Sequence, residues 1–284
     1  MYTLSHNFGR RETALKDSDF AVLGIPYDST ESYRTGSRHG PRAIREASLE
    51  LEEYDMELDF DLNQLRISDL GDLEVSYGNP DETIQRTKET VEDIIKNGVI
   101  PICFGGEHTI TYFVSTALNK NPFYVIFDAH LDYREDYIGN RLSHAAVSRR
   151  LSELVGAENI LIVGVRSASS EELTDAKKDG VSMITANDFF NEPEAAVNRI
   201  IELTKGKEVH LSIDMDVFDP SEASDVCNPE PGGIYYRDFL ETLAFLKNSK
   251  LSGLDITELC PTTDSYSQIL AAKLTFKVLA MSKI

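Results

Sequence analysis

Short apolar segments alternate along this chain with longer segments of helical periodicity. The short segments are rich in β-branched and aromatic residues, and several are apolar on both faces, which is typical of parallel strands covered by helices. Eight strands are therefore predicted, at residues 20–25, 66–70, 99–104, 123–128, 160–165, 181–185, 209–214 and 251–256.

Helix signals occupy the intervals between these segments. A helix is predicted to begin at Asn79-Pro80, because proline is favoured at the first helical position, and to end at Gly98. Ser169 and Glu172 have the spacing of a capping box at the start of a second helix. Further apolar stripes predict helices around residues 197–201 and over residues 266–281.

The alternation of strands and helices predicts an α/β fold. We expect three layers, with a central, mostly parallel, eight-stranded sheet and helices on both of its faces. No linker, repeat or low-complexity tract interrupts the pattern, so residues 1–284 are predicted to form a single domain.

Metal-ligand side chains alternate in the segments FDAHLD and SIDMDVFDP, and another histidine lies in FGGEHT. Because alternate residues of an extended chain point to the same side, the side chains within each segment should converge. Each segment follows a predicted strand, which places all three at the carboxyl edge of the sheet. Four carboxylates in one small volume repel each other unless cations neutralise them. The six candidate ligands are His108, Asp128, His130, Asp132, Asp214 and Asp216.

This set of carboxylates and imidazoles suits Mn²⁺, Mg²⁺ or Fe²⁺ better than a thiolate zinc site. Six side chains hold two ions only if some carboxylates bridge, which brings the ions to about 3.5–4 Å and suits hydrolysis. The cysteines Cys103, Cys227 and Cys260 have no CxxC spacing, which argues against a disulfide framework. Cys103 lies in an apolar segment and is expected to be a buried small hydrophobe.

The charge of the chain narrows the possible partners. It has 28 basic and 48 acidic residues, with a formal net charge of −20. This charge disfavours nucleic acid or an anionic membrane surface and favours a cationic substrate, although much of it also serves solubility. No apolar segment approaches the length of a membrane span, and the first residues lack the apolar region of a signal peptide. A cytoplasmic protein is expected.

At the proposed ligands the sequence closely resembles the ureohydrolases, the family of arginase, agmatinase and their relatives. The resemblance is carried by Gly105-Gly106-Glu107-His108, by Asp128-Ala129-His130-Leu131-Asp132, and by the segment from Ser212 to Pro220. GIPYD at 24–28 and SGLDITELCP at 252–261 extend it over nearly the whole chain. The resemblance implies a homo-oligomer, either a trimer or a hexamer.

The resemblance also implies two Mn²⁺ ions per chain and hydrolysis of a small cationic guanidino substrate to urea and an amine. His108 and Asp132 would hold one ion and His130 and Asp216 the other, with Asp128 and Asp214 bridging them.

Three residues have implied catalytic or substrate-binding roles. Asp132 would pass a proton to the leaving amine, and Glu258 would receive the guanidinium through paired hydrogen bonds. His144 matches the family's proton shuttle or substrate contact. From the residues alone, Glu258 is also compatible with a solvated charge at a strand end, and His144 with an exposed residue at a helix start.

The loop before His144 is closer to agmatinases than to arginases, and its acidic pair Glu135-Asp136 suits a substrate with an extra cation. Agmatine, cleaved to putrescine and urea, is therefore the expected substrate. Three residues depart from the family pattern. Ala145 replaces a common glycine, and Asp225 and Cys227 stand where small or hydroxyl residues are usual.

Other functions remain open at this stage. Within the family they are arginase, a guanidino-acid hydrolase such as guanidinobutyrase, and formiminoglutamase. A metal-dependent deacetylase of related architecture would use one zinc ion. A degenerate family member acting as a binding subunit would show the loss of a ligand, whereas all six are present.

Overall fold

A parallel eight-stranded sheet forms the centre of the computed structural model, which describes residues 6–118, 122–262 and 266–284. A separate two-stranded hairpin lies outside it. The strands are β1 (Phe20–Ile25), β2 (Tyr54–Asp55), β3 (Phe60–Asp61), β4 (Ile67–Asp72), β5 (Ile100–Gly105), β6 (Phe123–Phe127), β7 (Ile160–Val165), β8 (Ser182–Thr185), β9 (Glu208–Asp214) and β10 (Lys250–Thr257).

Helices connect most of these strands. The described α-helices are α1 (Gly40–Ser48), α2 (Pro80–Lys96), α3 (Ile110–Ser115), α4 (Val147–Val155), α5 (Ser170–Asp179), α6 (Ala186–Asn191), α7 (Pro193–Thr204), α8 (Tyr236–Thr242) and α9 (Tyr266–Met281). Along the described ranges, none of them is long and apolar enough to cross a membrane.

The sheet has the strand order β4-β1-β5-β10-β9-β6-β7-β8. All eight predicted strands are present and pair in parallel, which confirms the expected α/β sheet. The last two strands, β9 and β10, insert between β5 and β6. The order of the chain therefore reverses in the middle of the sheet, and such switch points are where open α/β sheets bind ligands.

Helices cover both faces of the sheet, which confirms the three layers. Along β5, Ile102 and Phe104 pack into a core with residues of α1, α7, α8 and α9. Cys103, which points to the other face, packs with residues of α2 and α3 such as Val91 and Phe113. Cys103 is fully buried, as predicted.

Local sequence signals explain where the helices begin and end. The side chain of Asn79 accepts a hydrogen bond from the amide of Glu82 at the start of α2, and Gly98 has a positive φ of 76° just beyond its end. Ser169 and Glu172 form the predicted capping box of α5. The last helix spans the predicted residues 266–281.

The hairpin β2–β3 was not predicted, because strands of two residues give no alternation signal. It is attached to α9 by a buried lysine. Lys277 Nζ lies 2.7 Å from Asp55 Oδ1 and 2.5 Å from Glu57 Oε2. This ion pair explains how α9 tolerates a lysine that is only 2% exposed.

The four middle strands supply the candidate functional residues at their carboxyl ends. His108 follows β5, Asp128 follows β6, Asp214 is the last residue of β9, and Glu258 follows β10. Because these strands are neighbours in the order β5-β10-β9-β6, their ends lie side by side. The fold therefore brings together residues that are up to 150 positions apart.

Gly106 allows three strand ends to approach each other closely. Its amide donates to Ile25 O at 2.9 Å, and its carbonyl accepts from the amide of Glu258 at 2.8 Å. A Cβ atom at this position would lie 2.1 Å from the carbonyl oxygen of Tyr27. Only glycine fits without displacing the backbone, and His108 lies two residues further on.

Gly106→Ala is expected to destabilise the protein, because the methyl group forces the ends of β1 and β5 apart. Overpacking of this kind costs about 1–3 kcal/mol of unfolding free energy. Chemical denaturation followed by circular dichroism measures this change. Gly78→Ala is the matched control, since a Cβ there meets nothing within 4 Å. Equal stability of the two variants would show that the strand ends are not closely packed.

Candidate metal centre and substrate cavity

All six predicted metal ligands converge at the carboxyl edge of the sheet. His108 lies at the centre of the first group, with its Nδ1 atom 3.1 Å from Asp128 Oδ2 and 3.3 Å from Asp214 Oδ2. Asp132 Oδ2 lies 3.7 Å from the same nitrogen. These four residues are buried, and His108, Asp128 and Asp132 form a group that could hold a metal ion.

A second group lies next to the first and shares Asp128 with it. His130 Nδ1 is 2.9 Å from Asp216 Oδ2 and 3.7 Å from Asp128 Oδ1. Asp128, His130 and Asp216 again could hold an ion. The two oxygens of Asp128 therefore approach different histidines, which is the arrangement a bridging carboxylate requires.

Tight turns after β6 and β9 fix the orientation of the carboxylates. Asp128 Oδ1 accepts the amide of His130 at 2.6 Å, and Asp214 Oδ1 accepts the amide of Asp216 at 2.8 Å. Asp216 Oδ1 in turn accepts the amide of Ala129 at 3.1 Å and ties the two turns together. In each case the second oxygen is left for the centre of the site.

The electrostatics of the cluster call for cations. Burial, reinforced by the charges of Asp132 and Asp216, raises the pKa of Asp128 to about 7. Burial also raises the pKa of Asp214 well above its ordinary value. Within the described parts of the chain, His108 Nδ1 and Asp128 Oδ2 are buried without a hydrogen bond, although they lie close together. Divalent cations would neutralise the carboxylates and satisfy both atoms, so the residues fit a metal centre.

A buried hydrogen-bond network holds the other side of His108. Its Nε2 atom lies 3.0 Å from Ser212 Oγ, which donates to Asp255 Oδ1 at 2.6 Å. Because the single proton of Ser212 is given to Asp255, His108 Nε2 donates to Ser212, and the ring is held with its Nδ1 facing the carboxylates of the centre. His210 Nε2 lies 2.6 Å from the other oxygen of Asp255.

The sequence carries a local signal for this network. His210, Ser212 and Asp214 alternate along β9 and therefore share one face with a metal ligand. His210 is buried and bonds to Asp255.

His144 lies at the wall of the cavity beside Asp132. Its Nδ1 atom is 3.0 Å from Thr30 Oγ1, which donates to Glu107 Oε1 at 2.9 Å. The hydroxyl of Thr30 therefore accepts from His144 Nδ1, and the Nε2 lone pair remains available. Burial lowers the pKa of His144, which keeps the ring neutral near pH 7. The alternative of an exposed residue is wrong, since His144 is only 7% exposed.

Glu258 is buried beside the first metal group rather than solvated at a strand end. Its Oε1 atom accepts the amide of His108 at 2.7 Å, whereas its Oε2 atom is buried and has no hydrogen-bond partner among the described residues. Burial raises the pKa of Glu258 well above its ordinary value. Glu258 and Asp132 have positive φ angles of 61° and 49°, a conformation that costs energy and clusters at functional sites.

A single cavity of about 470 Å³ connects these groups. This size is within the range of roughly 300–1,000 Å³ that is usual for small-molecule sites. His108 and Asp128 lie beneath its floor, fully buried. The proposed site residues that line the cavity are His130, Asp132, His144, Asp214, Asp216 and Glu258.

The acidic pair in the loop before His144 does not line this cavity. Glu135 pairs with Arg149 at 2.8 Å and with Arg141 at 3.0 Å, and Asp136 accepts the amide of Gly139. The prediction that this pair suits a cationic substrate is therefore not supported by its position.

The three departures from the family pattern have different positions. Ala145 lines the cavity, whereas Asp225 and Cys227 do not. Asp225 accepts hydrogen bonds from the amide and hydroxyl of Thr262 and so anchors its loop. Cys227 Sγ donates to Glu31 Oε1 at 3.3 Å, behind Glu258. Asp225 is therefore a structural residue rather than a determinant of substrate choice.

Two histidines and four carboxylates around one polar cavity define a metal-dependent hydrolase. Residues 18–281 match the arginase family. The chain is 39% identical to an agmatinase of Pyrococcus horikoshii, over 94% of this chain and 93% of that protein. It is also 39% identical to an N(1)-aminopropylagmatine ureohydrolase of Thermococcus kodakarensis, over 93% of this chain and 91% of that protein. The protein belongs to the arginase family.

The structure of an agmatine ureohydrolase of Thermoplasma volcanium superposes with a TM-score of 0.92 at 34% identity, covering 100% of this chain and 96% of that one. The fold and the family predicted from the sequence are thereby confirmed. The chain is accordingly a hydrolase that acts on C–N bonds.

The metal-free protein is expected to lose stability as the pH rises. Burial alone would lower the pKa of His130, but Asp216 and Asp128 outweigh it and raise this pKa to about 11. The stabilisation from His130 is complete below about pH 6.5 and is lost toward pH 11. The raised pKa of Asp128, about 7, means that the folded protein binds an extra proton between about pH 4 and 7. Stability therefore also falls as the pH rises through this range.

Thermal unfolding from pH 6 to 9.5, with and without chelator, measures this effect. The midpoint should fall with pH in the metal-free protein and change less in the Mn²⁺-loaded protein. His130→Asn should flatten the metal-free profile, whereas substitution of the exposed His39 by asparagine should not. A midpoint that rises with pH in the metal-free protein would contradict the proposed ion pairs.

Proposed function

We propose that this protein hydrolyses agmatine to urea and putrescine with two Mn²⁺ ions per chain. One observation carries the proposal: the unpartnered, buried Oε2 atom of Glu258 belongs to a residue that lines the same cavity as the two metal groups. A guanidinium is planar and bears paired donors that match a carboxylate. The similarity to agmatinases supports agmatine as its source.

The two overlapping groups suggest how the ions would be held. His108 and Asp132 would bind one ion and His130 and Asp216 the other. Asp128, whose oxygens approach both histidines, would bridge, and so would Asp214. When bound, two such ions lower the pKa of water and stabilise charge that develops in the transition state.

The remaining steps fall to side chains of the protein. Glu258 would bind and orient the guanidinium. Asp132, whose left-handed backbone aims it into the cavity, would pass a proton to the leaving amine. His144, held through Nδ1 by Thr30, would accept a proton or contact the substrate through Nε2. The buried position of these groups limits their exchange of protons with bulk water.

N(1)-aminopropylagmatine is a second candidate substrate, because a hydrolase of this compound is as similar to the chain as the agmatinase is. Arginine is less well matched. The only arginine that lines the cavity in the described residues, Arg134, is 3.2 Å from Glu172 and is thereby committed to an ion pair rather than to a substrate carboxylate.

Urea release from the Mn²⁺-loaded protein tests the proposal, with agmatine, N(1)-aminopropylagmatine, arginine and 4-guanidinobutyrate at equal concentrations. Agmatine should give the highest kcat/KM, because the cavity offers carboxylates and no unpaired cation in its described lining. Release from arginine alone would contradict the proposed substrate while preserving the chemistry. Release from none of them would reject the function.

Two substitutions separate metal binding from substrate binding. Asp128→Ala should abolish both tight metal binding and activity, because this carboxylate belongs to both groups. Glu258→Gln should retain the metal and lower kcat/KM by at least about 100-fold, since a neutral amide cannot pair with the guanidinium. Metal content by atomic emission and urea release measure the two effects. Metal loss in Glu258→Gln, or activity in Asp128→Ala, would contradict these roles.

The identity of the ions as manganese and the trimeric or hexameric assembly stay predictions from the family resemblance, and the cytoplasmic location stays a prediction from the sequence pattern. Metal analysis of the purified protein tests the first, light scattering tests the assembly, and cell fractionation tests the location.

A further inference from the structure

One carboxylate of the cavity lining makes no hydrogen bond or ion pair with the described residues and has no role in the proposed chemistry. Beyond the metal groups, His144 and Glu258, the charged residues of the described lining are Arg134, Glu172 and Glu230. Arg134 and Glu172 neutralise each other at 3.2 Å. Glu172 is further fixed by the amides of Tyr133 and Ser169. The carboxylate of Glu230, by contrast, makes no hydrogen bond or ion pair with the described residues.

The backbone of Glu230 is rigidly held relative to the metal centre. Its carbonyl oxygen accepts from Arg166 Nη2 at 2.7 Å and from Nε at 3.2 Å. The same guanidinium donates to the carbonyl oxygen of Asp216, a proposed metal ligand, at 2.7 Å. Asp219 accepts the amide of Gly232 at 2.9 Å and closes the base of this segment. The Glu230 side chain is thus placed on a fixed wall.

Glu230 carries a negative charge in the same cavity as Glu258, and agmatine carries a second cation besides its guanidinium. We propose that Glu230 binds the ammonium group at the far end of the substrate's carbon chain and so selects guanidines with a cationic tail. This inference rests on the proposed function, in which Glu258 holds the guanidinium. A half-buried, unpaired carboxylate attracts an ammonium group and repels a carboxylate. Substrates with neutral or anionic tails would therefore bind more weakly.

The alkyl chain between the two cations would lie along less polar parts of the wall. Tyr33, Tyr137 and Pro229 line the same cavity and provide apolar surface for methylene groups. Pro229 precedes Glu230 directly. A substrate of this class has a guanidinium and an ammonium joined by a flexible chain, and each charge has its own carboxylate.

Kinetics with matched substrates test this assignment in the full-length, Mn²⁺-loaded protein. The substrates are agmatine, butylguanidine, which has the same chain without the ammonium, and 4-guanidinobutyrate. Glu230→Gln should raise KM for agmatine about tenfold and change kcat less than about twofold, because the ammonium is remote from the reacting carbon. KM for butylguanidine should not change, and 4-guanidinobutyrate should become a better substrate.

Glu171→Gln is the matched control. Glu171 is exposed in the first turn of α5, two residues from Ser169 of the cavity wall, but does not itself line the cavity. The Glu171→Gln substitution removes a negative charge near the cavity, as Glu230→Gln does within it. It should leave KM for all three substrates unchanged. Equal effects of Glu230→Gln on agmatine and butylguanidine, or no effect on either, would overturn the assignment. So would equal effects of the two variants on agmatine.

Calorimetric binding of agmatine separates this inference from the proposed function. Suppose that the wild-type protein releases no urea but binds agmatine, and that Glu230→Gln weakens binding about tenfold. The function would then fail while the ammonium site stands. A wild-type protein that neither binds nor hydrolyses agmatine would overturn both.

Discussion

The mutual repulsion of four buried carboxylates is the constraint on which this structure depends. Asp128, Asp132, Asp214 and Asp216 lie within one small volume at 8% exposure or less. Without cations the fold must hold protons there, as the raised pKa values of Asp128 and Asp214 indicate. The turns after β6 and β9, the network behind His108 and the strained backbone of Asp132 all keep these groups together. Folding and metal binding are therefore linked.

Much of the fold could be predicted because its signals are local. All eight sheet strands, the capping box at Ser169 and the last helix follow from periodicity and capping within short segments. The convergence of the metal ligands could also be predicted, since the carboxyl ends of parallel strands lie at the same edge of the sheet. The hairpin β2–β3 could not be predicted, because its two-residue strands give no alternation signal and its attachment through Lys277 joins positions 222 residues apart.

The parts of the site that were missed depend on partners distant in sequence. Thr30 contributes to the site through its hydrogen bond with His144, 114 positions away. Asp255 contributes through its hydrogen bonds with His210 and Ser212 on the neighbouring strand. Glu230 is one acid among 48 acidic residues, and only the cavity distinguishes it. Glu135 and Asp136, by contrast, lie near a motif in the sequence but outside the cavity. Glu135 forms an ion pair with Arg149, and Asp136 accepts the amide of Gly139.

The anchoring of the segment from Asp219 to Gly233 has an evolutionary consequence. Asp219 closes one end of this segment onto the other, and Arg166 ties Glu230 to the carbonyl oxygen of Asp216. The side chain of Glu230 lies between these anchors, and because only its backbone is held, it can vary without moving the metal ligands. Selection can therefore alter which tail the enzyme accepts while leaving its hydrolytic machinery intact, so that one fold can supply a series of enzymes with different substrates.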